Sequence, residues 1–148
     1  MRVLFTSAAL AAFAVLPAQA QQPTLNWGPA PAVFPAGAKM AVLQGNPGKP
    51  EMFTVRLDMP PGYKIAAHNH PTDEHITVIQ GVFLVGMGDK LDATKTMALN
   101  PGGFVTAGAK MNHYAIARGR TIVQVSAIGP FSLTYVNPAD DPTKAKAK

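Results

Sequence analysis

Short apolar runs alternate with polar residues along most of the chain after residue 50. These runs are rich in β-branched and aromatic residues, and Gly, Pro, Asn and Asp separate them at intervals too short for helices. Turn signals such as Pro60-Pro61-Gly62 lie between them. The pattern predicts about nine strands, at 51–58, 64–68, 74–80, 82–87, 94–100, 103–107, 111–118, 121–128 and 132–136. We therefore expect an all-β fold, a double-sheet jelly roll or closed barrel.

The preceding segment, 21–50, has a different texture and contains six prolines. Proline at this density excludes a long helix or a central strand. We expect an N-terminal arm that wraps an edge of the barrel, with Trp27, Val33 and Phe34 as apolar anchors and a short strand at 39–44. Without such packing, the segment would be a loose linker.

The first twenty residues predict a secretory signal peptide. Arg2 precedes an apolar run that Pro17 interrupts, and Ala18-Gln19-Ala20 has the small-x-small pattern of a cleavage site. The alternative, an uncleaved membrane anchor, is disfavoured because the run is short for a bilayer span. We expect cleavage near Ala20, a periplasmic or secreted protein, and no stable membrane association. The predicted organisation is signal peptide 1–20, arm 21–50, barrel 51–136 and flexible tail 137–148.

Composition narrows the chemistry further. The chain has no cysteine, so it forms no disulfides and offers no thiolate to a metal or a substrate. The formal net charge is +5, but three lysines lie in the terminal TKAKAK and the other basic residues are scattered. No basic face interleaved with aromatic residues is evident, and this argues against nucleic acid as a partner. No internal repeat is visible, and a single small barrel with exposed sheet edges predicts a homodimer.

The candidate chemistry is concentrated between residues 62 and 81. His68 and His70 are two apart, so on an extended strand both imidazoles leave the same face. Glu74 follows a short turn that can return its carboxylate to the two imidazoles, and His113 offers a third imidazole about forty residues on. Imidazole and carboxylate are the donors that Zn, Mn, Fe, Ni and Cu accept. The sequence predicts a site for one divalent metal ion and leaves the metal open.

The same segment resembles the first motif of the cupin family. It reads G, five residues, HxH, three residues, E, six residues, G, from Gly62 to Gly81. The second cupin motif is matched in part: Gly102 and His113 lie at the family's offsets. Three other positions of that motif depart from the pattern, where Gly108, Lys110 and Ala117 replace a proline, a glycine and an asparagine.

The resemblance covers about residues 50–130 and implies a double-stranded β-helix barrel. It also implies that His68, His70, Glu74 and His113 together bind the metal. For an enzyme, it favours a small-molecule oxygenase or a related metal-assisted lyase or isomerase. The alternatives are a non-catalytic periplasmic protein that binds a metal or small ligand, and a cupin whose metal is purely structural. Four ligands leave two positions open in an octahedral site but none in a tetrahedral zinc site.

Strand alternation also predicts the surroundings of the site. Ile76, Val78 and Ala115 should point inward, and no Lys or Arg lies in a clearly inward position. Such a pocket suits a small, largely uncharged organic ligand better than a phosphorylated sugar or a dicarboxylate. His75 should face the opposite way, as a surface or dimer-interface residue. Asp73 lies in the turn, where it either caps the turn or orients a ligand imidazole.

Overall fold

The computed structural model describes residues 24–144, and their regular secondary structure is almost entirely β-strand. Their order follows the chain: β1 (Gly28–Pro29), β2 (Lys39–Gln44), β3 (Met52–Met59), β4 (Lys64–Asn69), β5 (Glu74–Gln80), β6 (Phe83–Met87), β7 (Met97–Leu99), β8 (Phe104–Ala107), β9 (His113–Ala117), β10 (Thr121–Ile128) and β11 (Thr134–Tyr135). Two 3₁₀ turns, Ala93–Lys95 and Pro138–Asp140, are the only helical elements in this part of the chain.

The strands form two antiparallel sheets. The six-stranded sheet has the order β1-β2-β3-β10-β5-β8, and the five-stranded sheet has the order β11-β4-β9-β6-β7. Buried positions alternate with more exposed ones along β3, because one face packs on the core. Phe53, Val78 and Val123 are among the most deeply buried side chains of that core. The predicted all-β jelly-roll fold is confirmed.

Most strand predictions agree with the structure to within two residues, and the main exception is residues 94–100. A strand was expected there, but Ala93–Lys95 is a 3₁₀ turn and, of these residues, Met97–Leu99 alone forms a strand. The side chain of Asp92 accepts hydrogen bonds from the backbone N–H and the hydroxyl of Thr94, at 2.9 and 2.6 Å. These local bonds favour a turn over a strand. The predicted strand at 132–136 is also shorter, since only Thr134–Tyr135 pairs with β4.

The arm is part of the six-stranded sheet. The strand expected at 39–44 is confirmed as β2, which pairs antiparallel with β3 from Lys39 opposite Asp58 to Gln44 opposite Thr54. Val33 and Phe34 pack against the core, and Trp27 is half-buried. The arm therefore brings side chains from upstream of β2 to the mouth of the barrel.

The chain ends extend beyond the described residues. The predicted signal peptide, 1–20, lies wholly outside them, as do residues 145–148 of the predicted tail. The start of that tail forms the 3₁₀ turn Pro138–Asp140, which the side chain of Asn137 caps. Between residues 24 and 144, none of the helical segments is long and apolar enough to cross a membrane.

Candidate metal centre

Three imidazoles converge between the two sheets. His68 lies near the end of β4 and pairs with His113, the first residue of the neighbouring strand β9. His70 follows β4 directly. One ring nitrogen from each of the three lies within 4.8 Å of the others, and all three residues are buried. The structure therefore brings together the three histidines that the sequence predicted as ligands.

All three imidazoles are oriented in the same way by backbone carbonyls. The Nδ1 atoms of His68, His70 and His113 lie 2.7, 2.8 and 2.9 Å from the carbonyl oxygens of Ala66, Ser132 and Met111. A carbonyl oxygen only accepts hydrogen bonds, so each Nδ1 carries the proton. In the neutral ring the lone pair is therefore on Nε2.

Glu74 brings a carboxylate to the cluster from the facing sheet, where it begins β5. Its Oε2 lies 3.4 Å from Nε2 of His70 and 3.4 Å from Nε2 of His113. Both Nε2 atoms are buried, and neither makes a hydrogen bond to any residue between 24 and 144. The 3.4 Å contacts are therefore not hydrogen bonds, and they place the carboxylate of Glu74 beside two ring nitrogens.

Burial and charge adjust the protonation of these groups. Burial, with the nearby imidazoles of His113 and His70, lowers the pKa of His68 from 6.5 to about 3, so this ring is neutral at pH 7. Burial alone would lower the pKa of His70, but the contact with Glu74 outweighs it and raises that pKa. Burial would likewise raise the pKa of Glu74, yet the contacts with His113 and His70 lower it below its usual range. The carboxylate is thus ionised beside the imidazoles.

The donor set fits a divalent cation. Two buried Nε2 atoms have no hydrogen-bond partner in the part of the chain that the structure describes, which is costly unless another group satisfies them. Three nitrogen donors and one ionised carboxylate are the ligands that first-row divalent metals accept. The backbone carbonyls that hold each Nδ1 are the outer partners that metal-binding imidazoles require.

A cavity of about 60 Å³ adjoins the cluster. The four site residues line its polar end, and every other lining side chain in the described chain is apolar. They are Pro31, Phe34, Met40, Pro47, Phe53, Val55, Leu57, Ile65, Ile76, Phe83, Ala115, Val123, Val125 and Phe131. One water molecule needs roughly 10–15 Å³ of such volume. The cavity therefore has room for a few water molecules or for one small organic molecule. The cavity therefore offers an apolar body and one polar end.

The sequence model of the cupin domain matches residues 55–129. This is more than half of the chain, and it contains both strands that carry the histidines. The chain belongs to the cupin family. The comparison with curated proteins found no match.

Solved structures similar to this cupin include three with named activities. A proposed acetylacetone dioxygenase from Methylibium petroleiphilum PM1 is 22% identical with a TM-score of 0.61, covering 86% of this chain and 90% of that one. The polyketide cyclase RemF from Streptomyces resistomycificus is 17% identical with a TM-score of 0.59, covering 75% and 79%. A salicylate 1,2-dioxygenase from Pseudaminobacter salicylatoxidans is 16% identical with a TM-score of 0.55, covering 68% and 28%. At these sequence identities, the likeness shows a shared fold and does not show a shared activity.

The loop before His113 departs from the cupin motif and is held in another way. Lys110 has a φ of 61°, the left-handed conformation that glycine adopts most easily, at the position where the family pattern has glycine. Its N–H donates to the carbonyl of His70 at 2.8 Å, and Oδ1 of Asp73 accepts from the N–H of Ala109 at 2.7 Å. Asp73 therefore caps this loop. It does not orient a ligand imidazole, because a backbone carbonyl already accepts from Nδ1 of each histidine in the cluster.

The predicted surroundings of the site are largely confirmed. Ile76 and Ala115 line the cavity, whereas Val78 is buried in the core. His75 faces outward, where it is exposed and stacks on Phe104 with ring centroids 6.2 Å apart. The sequence did not predict the aromatic side of the cavity, which Phe34 and Phe131 form. The only signal for it was the proline-rich arm, which predicted packing on the barrel but not against the site.

Proposed function

We propose that this cupin binds one divalent metal ion through His68, His70, Glu74 and His113. The observation that supports this most strongly is the uniform orientation of the imidazoles: each Nδ1 is held by a carbonyl, and each Nε2 is left for a ligand. Glu74 adds the negative charge that offsets part of the ion's charge. Iron, manganese, nickel, copper and zinc are all compatible with this donor set.

Metal affinity tests this proposal directly. Competition against a chromogenic chelator should show that His113→Ala weakens binding by at least about tenfold, as expected on loss of a ligand. His75→Ala is the matched control, because it removes an exposed histidine next to Glu74 and should bind as the wild type does. Equal affinity in the His113→Ala and His75→Ala proteins would exclude the proposed site.

We further propose that the protein is an enzyme acting on a small organic molecule, as an oxygenase or a related metal-assisted lyase or isomerase. A bound divalent ion would supply charge that polarises an oxygen atom of the substrate. The apolar cavity would hold the rest of the substrate and exclude water, and the ionised Glu74 would add negative charge beside the metal. The names of the similar structures, two dioxygenases and a cyclase, are consistent with this class of chemistry.

Oxygen consumption distinguishes enzyme from binder. The iron and copper forms should consume oxygen with at least one member of a panel of small diketones, phenols and thiols.

One observation favours the second candidate, a periplasmic protein that binds a metal or small ligand without turnover. Among the described residues that line the cavity, no ionisable side chain other than the four site residues is available as a general base. A panel that binds without oxygen uptake or product would select that candidate.

We also propose export, with cleavage near Ala20. The support is the sequence alone: a basic residue, an apolar run and a small-x-small site. Intact-mass measurement on protein from the periplasm should give a chain that begins near Gln21. Retention of Met1 in that fraction would refute the proposal.

Finally, we propose that the protein is a homodimer. Strand β8 is an edge of the six-stranded sheet, and its outer backbone groups lack a partner strand within residues 24–144. A second copy would cover such an edge. Light scattering should give a mass of two chains at micromolar concentration, and a monomer across the accessible range would contradict this.

A further inference from the structure

We propose that Phe34 and Phe131 form an aromatic wall that sets the size of the ligand admitted to the cavity. The wall joins the N-terminal arm to the segment after β10, two parts of the chain 97 positions apart. The class of ligand rests on the proposed function, whereas the aromatic wall rests on the packing of the two rings beside the cavity.

The two rings are stacked on one side of the cavity. Their centroids are 5.9 Å apart and their planes differ by 10°. Phe131 also meets Phe53 edge-on at 6.1 Å and lies 5.2 Å from the ring of His70. Phe131 is therefore sandwiched between the arm and the histidine cluster. A ligand whose polar end reaches the histidines must place its body against this ring.

The backbone around Phe34 is fixed by the barrel. The Tyr135 hydroxyl donates to the carbonyl of Val33 at 2.9 Å, and the Tyr63 hydroxyl donates to the carbonyl of Pro35. These are the carbonyls of the residues on either side of Phe34. Both tyrosines are buried. Their two hydroxyl hydrogen bonds hold the arm at Phe34.

Phe131 is fixed in a comparable way, and its position is linked to the site. Its N–H donates to the carbonyl of Pro47 at 2.6 Å, and Pro47 also lines the cavity. The carbonyl of the next residue, Ser132, accepts from Nδ1 of His70 at 2.8 Å. A ligand that displaces Phe131 thus moves the carbonyl that orients His70. An oversized ligand therefore binds weakly for two reasons: it clashes with the ring of Phe131, and it disturbs the orientation of the His70 imidazole.

The wall predicts a preference for compact ligands. Acetylacetone has a short apolar body and two oxygens at one side, whereas benzoylacetone carries a phenyl ring in place of one methyl group. Beside a cavity of about 60 Å³, the phenyl ring must displace Phe131 or Phe34. The wild-type protein should therefore bind acetylacetone in preference to benzoylacetone.

Isothermal titration of the nickel-loaded protein with the two diketones tests this preference. Phe34→Ala and Phe131→Ala should each shift the affinity ratio toward benzoylacetone by about tenfold or more, which is typical when pocket volume changes. The Tyr63→Phe, Tyr135→Phe double variant should shift it in the same direction, although neither tyrosine lines the cavity. Phe104→Ala is the control, because that phenylalanine is 57% exposed on the outer surface. An unchanged ratio in both wall variants overturns the proposal.

A second measurement separates the wall from the metal. Toluene binding to the metal-free protein, followed by NMR line shifts, should tighten by about tenfold in Phe34→Ala, because a larger apolar cavity admits the ring. Phe34→Leu gives the same test if the alanine variant folds poorly. If neither diketone binds but toluene binding tightens, the wall stands and the proposed ligand chemistry fails. If toluene binding is unchanged in folded variants, the wall proposal is wrong.

Discussion

His68 should make the metal-free protein lose stability as the pH falls from 7 to 5. Its pKa is about 3 in the folded state and 6.5 in the unfolded chain, so the unfolded state takes up a proton that the folded state refuses. The stability contributed by the neutral ring is thus present above pH 6.5 and is lost as the pH falls toward 3. Proton linkage gives a loss of about 2 kcal/mol between pH 7 and pH 5 from this residue.

Other groups near the site titrate in the same range, so a difference between variants is needed. The raised pKa of His70 acts in the opposite sense, because its contribution is present below pH 6.5 and is lost as the pH rises through the folded value. Replacing His68 leaves that contribution in place, since His68 is neutral in the folded protein throughout this range. The wild type should therefore lose about 2 kcal/mol more than His68→Gln between pH 7 and pH 5.

Urea unfolding in the presence of a chelator measures this difference, because bound metal would itself alter the pH dependence. His75→Gln removes an exposed histidine and should keep the wild-type pH dependence. If wild type and His68→Gln lose the same free energy of unfolding between the two pH values, the buried, neutral state of His68 is wrong. His68 would then not offer a neutral Nε2 to a metal ion.

Three further predictions follow from the same contacts. A free metal concentration of a thousand times the dissociation constant should raise the free energy of unfolding by about 4 kcal/mol. Calorimetry should show this gain, and adding a chelator should abolish it. Asp73→Ala leaves the N–H of Ala109 without its acceptor and should weaken metal binding about tenfold by loosening the loop before His113, while an unchanged affinity would contradict that role. Gly86→Ala places a methyl group against the ring of Tyr114 and should cost roughly 1–3 kcal/mol in urea unfolding; an unaltered stability would show that the ring moves aside.

Much of the fold could be predicted from the sequence because strand alternation is a local signal. Strands β5 and β10 occur at the predicted residues, 74–80 and 121–128. The prediction failed at 94–96 because the side chain of Asp92 bonds to Thr94 and favours a turn, a competition that apolar patterning does not register.

The histidines were predictable for a similar reason, but their environment was not. Two residues that are two positions apart on an extended segment share a face by geometry, and the motif placed His113 near them. The aromatic wall requires Phe34 and Phe131 to meet from distant parts of the chain, and no local pattern encodes that contact. The carbonyls that orient each Nδ1 are likewise set by backbone packing and not by residue type.

The measurement that tests the metal site most directly is anomalous diffraction from crystals of the metal-loaded protein, collected on both sides of the metal's absorption edge. We expect one strong peak per chain, about 2.0–2.2 Å from Nε2 of His68, His70 and His113 and from a carboxylate oxygen of Glu74. A peak at other residues, or full metal loading with no peak between these four side chains, would contradict the proposed centre.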